Sequence, residues 1–472
     1  MTSATYEIGM VGLGVMGRNL LLNMADNGYS VAGYDLDKTK VEALRREAET
    51  RDIRGAESLA EFASMLRSPR AVMMLVPAGP PVDGVIKDLL PHLARGDLII
   101  DGGNSYFKDT DLRTRALAEK GILYMGVGVS GGEQGARHGP SIMPGGSREA
   151  YERVRPVLEA VAAKADGEPC VTYLGGGSAG HYVKMVHNGI EYGLLELIAE
   201  TYDLLRRGLG LSDNELHTVF DTWNRGELNG YLIEITADIF CRGDELATGK
   251  RLIDSILDEA KQKGTGKWTS QDAMDLQVPV PTLDIAVAMR DLSAFKTERE
   301  AAARLLGGPP RKMRAGRGPF LRQLNQALYA AMVITYAQGM VLLLRASHAY
   351  EYGLNLEDVA RIWRAGCIIR STLLDDIRAA YRAQPTLANL LVDSHLGRLV
   401  TDRQEALRGV VKRAVQLGIP APGLAVSLNY FDGYRSDWLP ANLIQAQRDY
   451  FGAHTYERVD MKGVFHTQWQ SE

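Results

Sequence analysis

Lys184, His187, Asn188 and Glu191 stand three and four residues apart in a segment that is otherwise mostly apolar. On a helix these positions fall on successive turns of one face. An amine, an imidazole, an amide and a carboxylic acid then share one stripe, the side-chain types that hold and move protons. Such a stripe is costly to bury without a polar partner, so the segment needs a ligand or a second polar surface. The plain alternative is a solvated helix face with an incidental ion pair.

A second chemistry-bearing group is the run Gly12-Leu13-Gly14-Val15-Met16-Gly17. It follows an apolar run and precedes a helical pattern. The first glycine suits a tight turn, and the second lets the backbone approach a pyrophosphate seated on the helix N-terminus. Asp35 ends the next apolar run about twenty residues on, as a dinucleotide fingerprint requires. A carboxylate there accepts from the ribose 2′-OH of NAD and repels the 2′-phosphate of NADP. Leu36 and Asp37 add no cation, though Lys38 or Lys40 could fold back. Alternatively, Asp35 caps the next helix. Two further loops follow apolar runs: Asp101-Gly-Gly-Asn104-Ser-Tyr, and Gly128-Val-Ser130-Gly131-Gly132-Glu-Gln-Gly-Ala-Arg137. The N–H groups and the Ser130 hydroxyl of the latter could form a nest for a carboxylate.

These groups need a framework. Short apolar runs over 7–14, 29–35, 71–76, 97–101 and 122–127 read as strands. Helical patterns over 15–27 and 38–49 alternate with them. This predicts a doubly wound, Rossmann-type α/β domain over residues 1–178. Beyond the glycine run at 175–177, long helical periods dominate, beginning with 183–207, and predict an all-α domain over 179–437. A weak repeat with a period of about 140 residues suggests a duplicated helical unit. One copy runs from His187 through Gly210 to Trp223, the other from Leu328 through Gly353 to Trp363. Chance likeness of two amphipathic helices is the alternative. Residues 438–472 show no clear period and read as a tail that packs on something else.

The chain has 472 residues, 45% hydrophobic and 24% charged, with a formal net charge of -4. That balance argues against bulk electrostatic binding of nucleic acid, so an anionic substrate would need a local basic cluster. The three cysteines, Cys170, Cys241 and Cys367, have neither metal nor redox spacing, and fit reduced thiols in a cytoplasmic protein. Residues 1–6 lack the pattern of a signal peptide. No run of about 18 apolar residues free of charge suggests a membrane span.

Together with Lys263-Gly-Thr-Gly-Lys267-Trp-Thr269 and Arg448-Asp-Tyr-Phe-Gly-Ala-His454, these loops and the polar helix resemble the 6-phosphogluconate dehydrogenases. The matching motifs run in order over nearly the whole chain. The resemblance implies oxidative decarboxylation of 6-phosphogluconate to ribulose 5-phosphate with NAD or NADP and no metal, a step of the pentose phosphate pathway. It makes Lys184 the general base and Glu191 the acid that protonates C1. Ser130, Gly131, Gly132, His187 and Asn188 would hold the carboxylate and hydroxyls. Asn104 would lie beside them and near the nicotinamide, in a cofactor site that includes Val76. Tyr192, Lys267, Thr269 and Arg290 resemble the phosphate-binding set. Arg448 and His454 resemble residues that reach the site from a partner's tail, which implies a homodimer; pairing of dimers into tetramers stays open.

The sequence departs from the family on the adenosine side. NADP-specific members usually carry Asn-Arg-Thr where this chain has Asp35-Leu36-Asp37, and a family lysine is replaced by Pro77. Both changes remove cations and favour NAD. Two other readings compete. Another β-hydroxyacid dehydrogenase acting on a small unphosphorylated acid would share the glycine loops and the lysine but lack Lys267, Arg290, Arg448 and His454. A non-catalytic nucleotide sensor would tolerate loss of Lys184 or Glu191.

Overall fold

Apolar runs of four residues make the strands at the centre of the N-terminal domain. They are β1 (Ile8–Val11), β2 (Val31–Tyr34), β4 (Ala71–Met74) and β5 (Leu98–Asp101), joined by the short β3 (Ile53–Gly55), the longer β6 (Leu123–Ser130) and β7 (Ser141–Gly146). In this computed structural model, residues 6–246, 249–308, 313 and 316–470 are described. The reading of the N-terminus as lacking a leader rests largely on residues 1–5, which lie outside them.

The sheet order is β3-β2-β1-β4-β5-β6-β7, parallel except for β7, which runs antiparallel to β6. Alternate residues of the strands feed two cores. Ile8, Met10, Met73 and Ile100 face one layer of helices, and Val11, Val72, Met74 and Ile99 face the other. Both faces are therefore covered, as a parallel sheet requires. Chain order reverses between β1 and β4, so the crevice at their carboxyl ends is a topological switch point where ligands bind.

The helix Ala179–Asp203 follows the glycine run and extends in a wider turn to Gly208. Every described strand after it is a two-residue piece of the tail. The repeat seen in the sequence is structural. The first unit has this helix, then Gly210 at φ 69°, then a helix Asp213–Asn224 capped by Ser212 and Glu215 and ending near the buried Trp223. The second has Arg317–Ala349, then Gly353 at φ 68°, then Leu356–Ile362 capped by Asn355, then the buried Trp363. The long helices of the two units pack against each other, and just beyond the units Gly230 bridges Ser371. Arg317–Ala349 is long and apolar enough to cross a membrane, but 89% of its most apolar window is buried inside the protein.

Residues 438–470 are more ordered than their sequence suggested. They form a helix, Ala441–Gly452, and a hairpin of Tyr456–Glu457 with Val464–Phe465. The fully buried Asp449 carboxylate ties them together by accepting from the Thr455 and Thr467 N–H groups, His466 Nδ1 and Trp469 Nε1, at 2.8–3.1 Å.

Candidate active site

Gly12 leaves β1 at φ 95°, and a Cβ there would lie 2.5 Å from the Leu75 carbonyl oxygen. A Cβ on Gly17 would lie 1.9 Å from the Gly12 oxygen. Only glycine permits this turn, which brings the helix Val15–Asp26 to its start without a side-chain cap or an acidic residue in its first turn. Its free N–H groups point where an anion is favoured.

Two connected clefts open there. One, of about 710 Å³, is lined by Gly14, Val15, Met16, Gly17, Val76 and Asn104 among others. The second, of about 520 Å³, shares Gly14, Leu75, Val76 and Pro77 and reaches Gly12, Asp35, Leu36 and Lys40. The two halves suit the two ends of a dinucleotide. Leu13 and Asp37 support the site from behind. The Leu13 N–H donates to Asp35 Oδ2 at 2.7 Å, and Leu13 itself is buried. Asp37, not Asp35, caps the next helix, accepting from the Thr39 N–H at 3.0 Å. Lys40 Nζ folds back to within 3.4 Å of Asp35 Oδ1; Lys38 is exposed.

The polar helix is held against β6 and β7 by close backbone approach. A Cβ on Gly128 would lie 2.4 Å from Lys184 Cβ, and one on Gly180 would lie 2.3 Å from the oxygens of Gly126 and Met143. No larger residue leaves room for this contact, so the strands set the height of Lys184 above the sheet. Lys184 is only 6% exposed, and its Nζ donates to Asn188 Oδ1 at 2.8 Å. The same oxygen lies 3.0 Å from His187 Nδ1, and His187 Nε2 lies 3.3 Å from Ser130 Oγ. With Nδ1 donating, Nε2 is the acceptor and the Ser130 hydroxyl donates. The Trp363 ring edges onto His187 at 5.6 Å.

Burial pushes the Lys184 amine below its ordinary pKa, against the opposing pull of Glu191. Burial also pushes the Glu191 carboxyl up, against Lys184 and Arg290. His187 is driven well down by burial and by the Lys184 charge. Both shifts run toward the uncharged forms, a free amine and a protonated acid, that a general base and a general acid need.

The phosphate set divides. Arg290 Cζ sits 3.5 Å from the Tyr192 ring centroid. Of the motif 263–269, Lys263, Thr265 and Trp268 lie at the site. Lys263 lines the larger cleft, and Thr265 Oγ1 accepts from Asn188 Nδ2 at 3.2 Å. Gly264, at φ 102°, starts the helix Thr265–Asp275 there and adds an N-terminus beside the lysine. Thr269 is fully buried, and its hydroxyl lies 2.9 Å from the carbonyl oxygens of both Met185 and Thr265. Lys267 is exposed on the first turn of that helix. Arg448 and His454 lie on the tail, whose helix packs most extensively on its own hairpin; Arg448 Nη1 donates to Gln445.

Sequence reasoning also missed a buried polar set under Asn104. The Asp101 carboxylate, fully buried at the end of β5, accepts from the Gly103 N–H, the Ser105 hydroxyl and the Tyr124 hydroxyl at 2.6–3.0 Å. These bonds fix the loop that presents Asn104. The one available signal was an acid in an otherwise apolar strand.

Residues 7–175 match the family model described as the NAD binding domain of 6-phosphogluconate dehydrogenase, and residues 180–469 match that of its C-terminal domain. The chain is 52% identical over 464 residues to the NADP(+)-dependent, decarboxylating 6-phosphogluconate dehydrogenase of Bacillus subtilis (strain 168), covering 98% of this chain and 99% of that one. It is 50% identical to the decarboxylating enzyme of Escherichia coli (strain K12), with the same coverage. A solved structure of Plasmodium falciparum 6-phosphogluconate dehydrogenase, described in apo form and with NADP+ or 6-phosphogluconate, matches with a TM-score of 0.95 at 42% identity. The match covers 98% of this chain and 100% of that one.

Proposed function

The chain belongs to the 6-phosphogluconate dehydrogenase family, and from that premise we infer how its own residues carry out the oxidative decarboxylation of 6-phosphogluconate to ribulose 5-phosphate. The observation that carries the reading is the buried stripe of Lys184, Asn188 and Glu191, tied through Thr265 to the segment whose Lys263 lines the dinucleotide cleft and facing Arg290. The neutral Lys184 amine takes the proton of the C3 hydroxyl. Gly12, Gly14, Gly17, Val76 and Asn104 would hold a dinucleotide, which when bound would supply the acceptor for the C3 hydride. The resulting 3-keto acid has its carbonyl β to the carboxylate, so the carbonyl accepts the electrons released as carbon dioxide leaves. The Lys184 ammonium returns its proton to the developing enolate oxygen. Glu191 then delivers a proton to C1 of the enediol. Ser130, Gly131, Gly132, His187, Asn188 and Asn104 orient the sugar acid, and Lys263, Thr265, Tyr192 and Arg290 hold its phosphate. The product places the enzyme in the pentose phosphate pathway. Its three unpaired thiols suit the reducing cytoplasm.

The shift of the phosphate set to Lys263 and Thr265 is open to direct test. Lys263→Ala removes a charge-assisted contact and should raise the KM for 6-phosphogluconate about 10–100-fold with little change in the cofactor KM. Lys267→Ala should stay within about twofold on both, as a surface charge does. Steady-state kinetics with each substrate varied in turn would decide, and the reverse ranking would restore Lys267 to the site.

For the cofactor, the reading is NAD. Asp35 lines the second cleft, where a carboxylate would accept from a ribose hydroxyl, and Lys40 pairs with it. Initial rates with 6-phosphogluconate and either cofactor at low concentration should favour NAD. Faster reduction of NADP would mean that Lys40 leaves Asp35 for the 2′-phosphate. Turnover with neither would sink the activity itself.

The tail completes the reading. Leu443, Ile444, Tyr450 and Phe451 of its helix are exposed in the single chain, an apolar face that a second copy would cover. The proposed unit is a homodimer in which Arg448 and His454 of each chain reach the other's phosphate cradle.

A further inference from the structure

A buried histidine that takes no part in the reaction joins the two domains three residues before Lys184. His181 Nε2 lies 3.0 Å from the Asp101 carbonyl oxygen, and Nδ1 lies 2.7 Å from Thr110 Oγ1. A carbonyl only accepts, so Nε2 carries the proton and Nδ1 accepts from the threonine hydroxyl. Both partners belong to the cofactor domain, Asp101 at the end of β5 and Thr110 on the helix Phe107–Ala118. His181 belongs to the polar helix. A Cβ on Gly126 would lie 2.7 Å from His181 Nδ1, just as one on Gly128 would lie 2.4 Å from Lys184 Cβ. The two side chains therefore rest on two glycines of one face of β6.

We propose that His181, held by Asp101 and Thr110, is a positioning residue that fixes Lys184 relative to the Asn104 loop, and so relative to the nicotinamide. This rests on the reading of Lys184 as the base. Asp101 serves both ends: its carboxylate shapes the Asn104 loop and its carbonyl receives the histidine. The groups facing His181 are Asp101, Asp111 and Arg113, and burial keeps the ring neutral. Those facing Lys184 are Glu191, His187 and, from the second helical unit, Cys367. Releasing the strut leaves this second set in place but lets the first turn of the helix drift and admits water to the amine. The amine then titrates closer to its ordinary range.

The test is a pH profile of kcat for His181→Phe, which keeps a ring and loses both hydrogen bonds, beside Thr110→Val, a milder change that removes one hydroxyl. For His181→Phe, kcat should fall about tenfold or more, since a displacement near 1 Å can cost about 10²-fold. The KM for 6-phosphogluconate should hold within about threefold, and the acid limb should move to higher pH in both variants. A general loss of stability would lower the yield of active enzyme without moving that limb. An acid limb superimposable on the parent's in a folded variant overturns the proposal. The parent is assayed first: an inactive parent would overturn the dehydrogenase reading itself, whereas an active parent with unmoved variants overturns only the strut.

Discussion

Replacing Lys184 with methionine should cut turnover by about 10²–10⁴-fold, the range that a positioned general base contributes, while the fold and cofactor binding persist. The lysine stem is buried, with 6% of the residue exposed, and methionine fills a similar volume without leaving a cavity. Asn188 Oδ1 loses one donor but keeps His187 Nδ1, so no buried acceptor is orphaned. The pH profile of the parent should be bell-shaped, and its sign follows from the two shifts. Lys184 must be neutral, so activity falls as the pH drops through its lowered pKa. Glu191 must carry a proton, so activity falls as the pH rises through its raised pKa. Glu191→Gln should remove the basic limb together with most of the turnover. Rates at saturating substrate and cofactor, with thermal melts of each variant, check all of this. A methionine variant within about tenfold of the parent would exclude Lys184 as the base.

The parts of the site that could be read from sequence are those whose geometry is local. The glycine turn spans one strand–helix joint, and the positions 184, 187, 188 and 191 lie on two turns of one helix. The segment 263–269 was harder, because it holds two lysines and two threonines, each pair four apart. Which pair meets the cleft depends on where the helix begins. Gly264 sets that point at Thr265, so Lys263 precedes the helix and Thr269 turns inward. A glycine flanked by Lys263 and Thr265 was the available clue. The Asp101–His181 bond joins residues 80 apart, and no local pattern announces such a pairing. Strands β3 and β7 escaped for a similar reason. β3 has three residues, and β7 carries Pro144 and two glycines, so each owes its conformation to the neighbour it pairs with. The tail helix escaped because its apolar residues remain exposed in the single chain, where they give no core-facing period.

Mixing two inactive variants should recover activity if the tail serves the partner's site. Lys184→Met disables the cleft of its own chain and leaves Arg448 intact. Arg448→Ala leaves Lys184 intact and removes a cation from the tail, so its homodimer should lose most activity at substrate concentrations near the parent's KM. In a mixed dimer, the cleft of the Arg448→Ala chain receives the intact tail of the Lys184→Met chain, and one site of two is complete. Random pairing makes half of the dimers mixed, so the preparation should reach about a quarter of parental activity, and mixed dimers isolated through two different tags about half. The single chain motivates this outcome: Arg448 bonds only to Gln445 among the described residues, and the apolar residues beside it are bare. If each tail instead folded back onto its own cleft, every mixed dimer would hold one site without Lys184 and one without Arg448. Recovery would then be absent at any mixing ratio. The experiment separates exchange from mere dimerisation, because both arrangements give the same mass in solution and only exchange restores turnover.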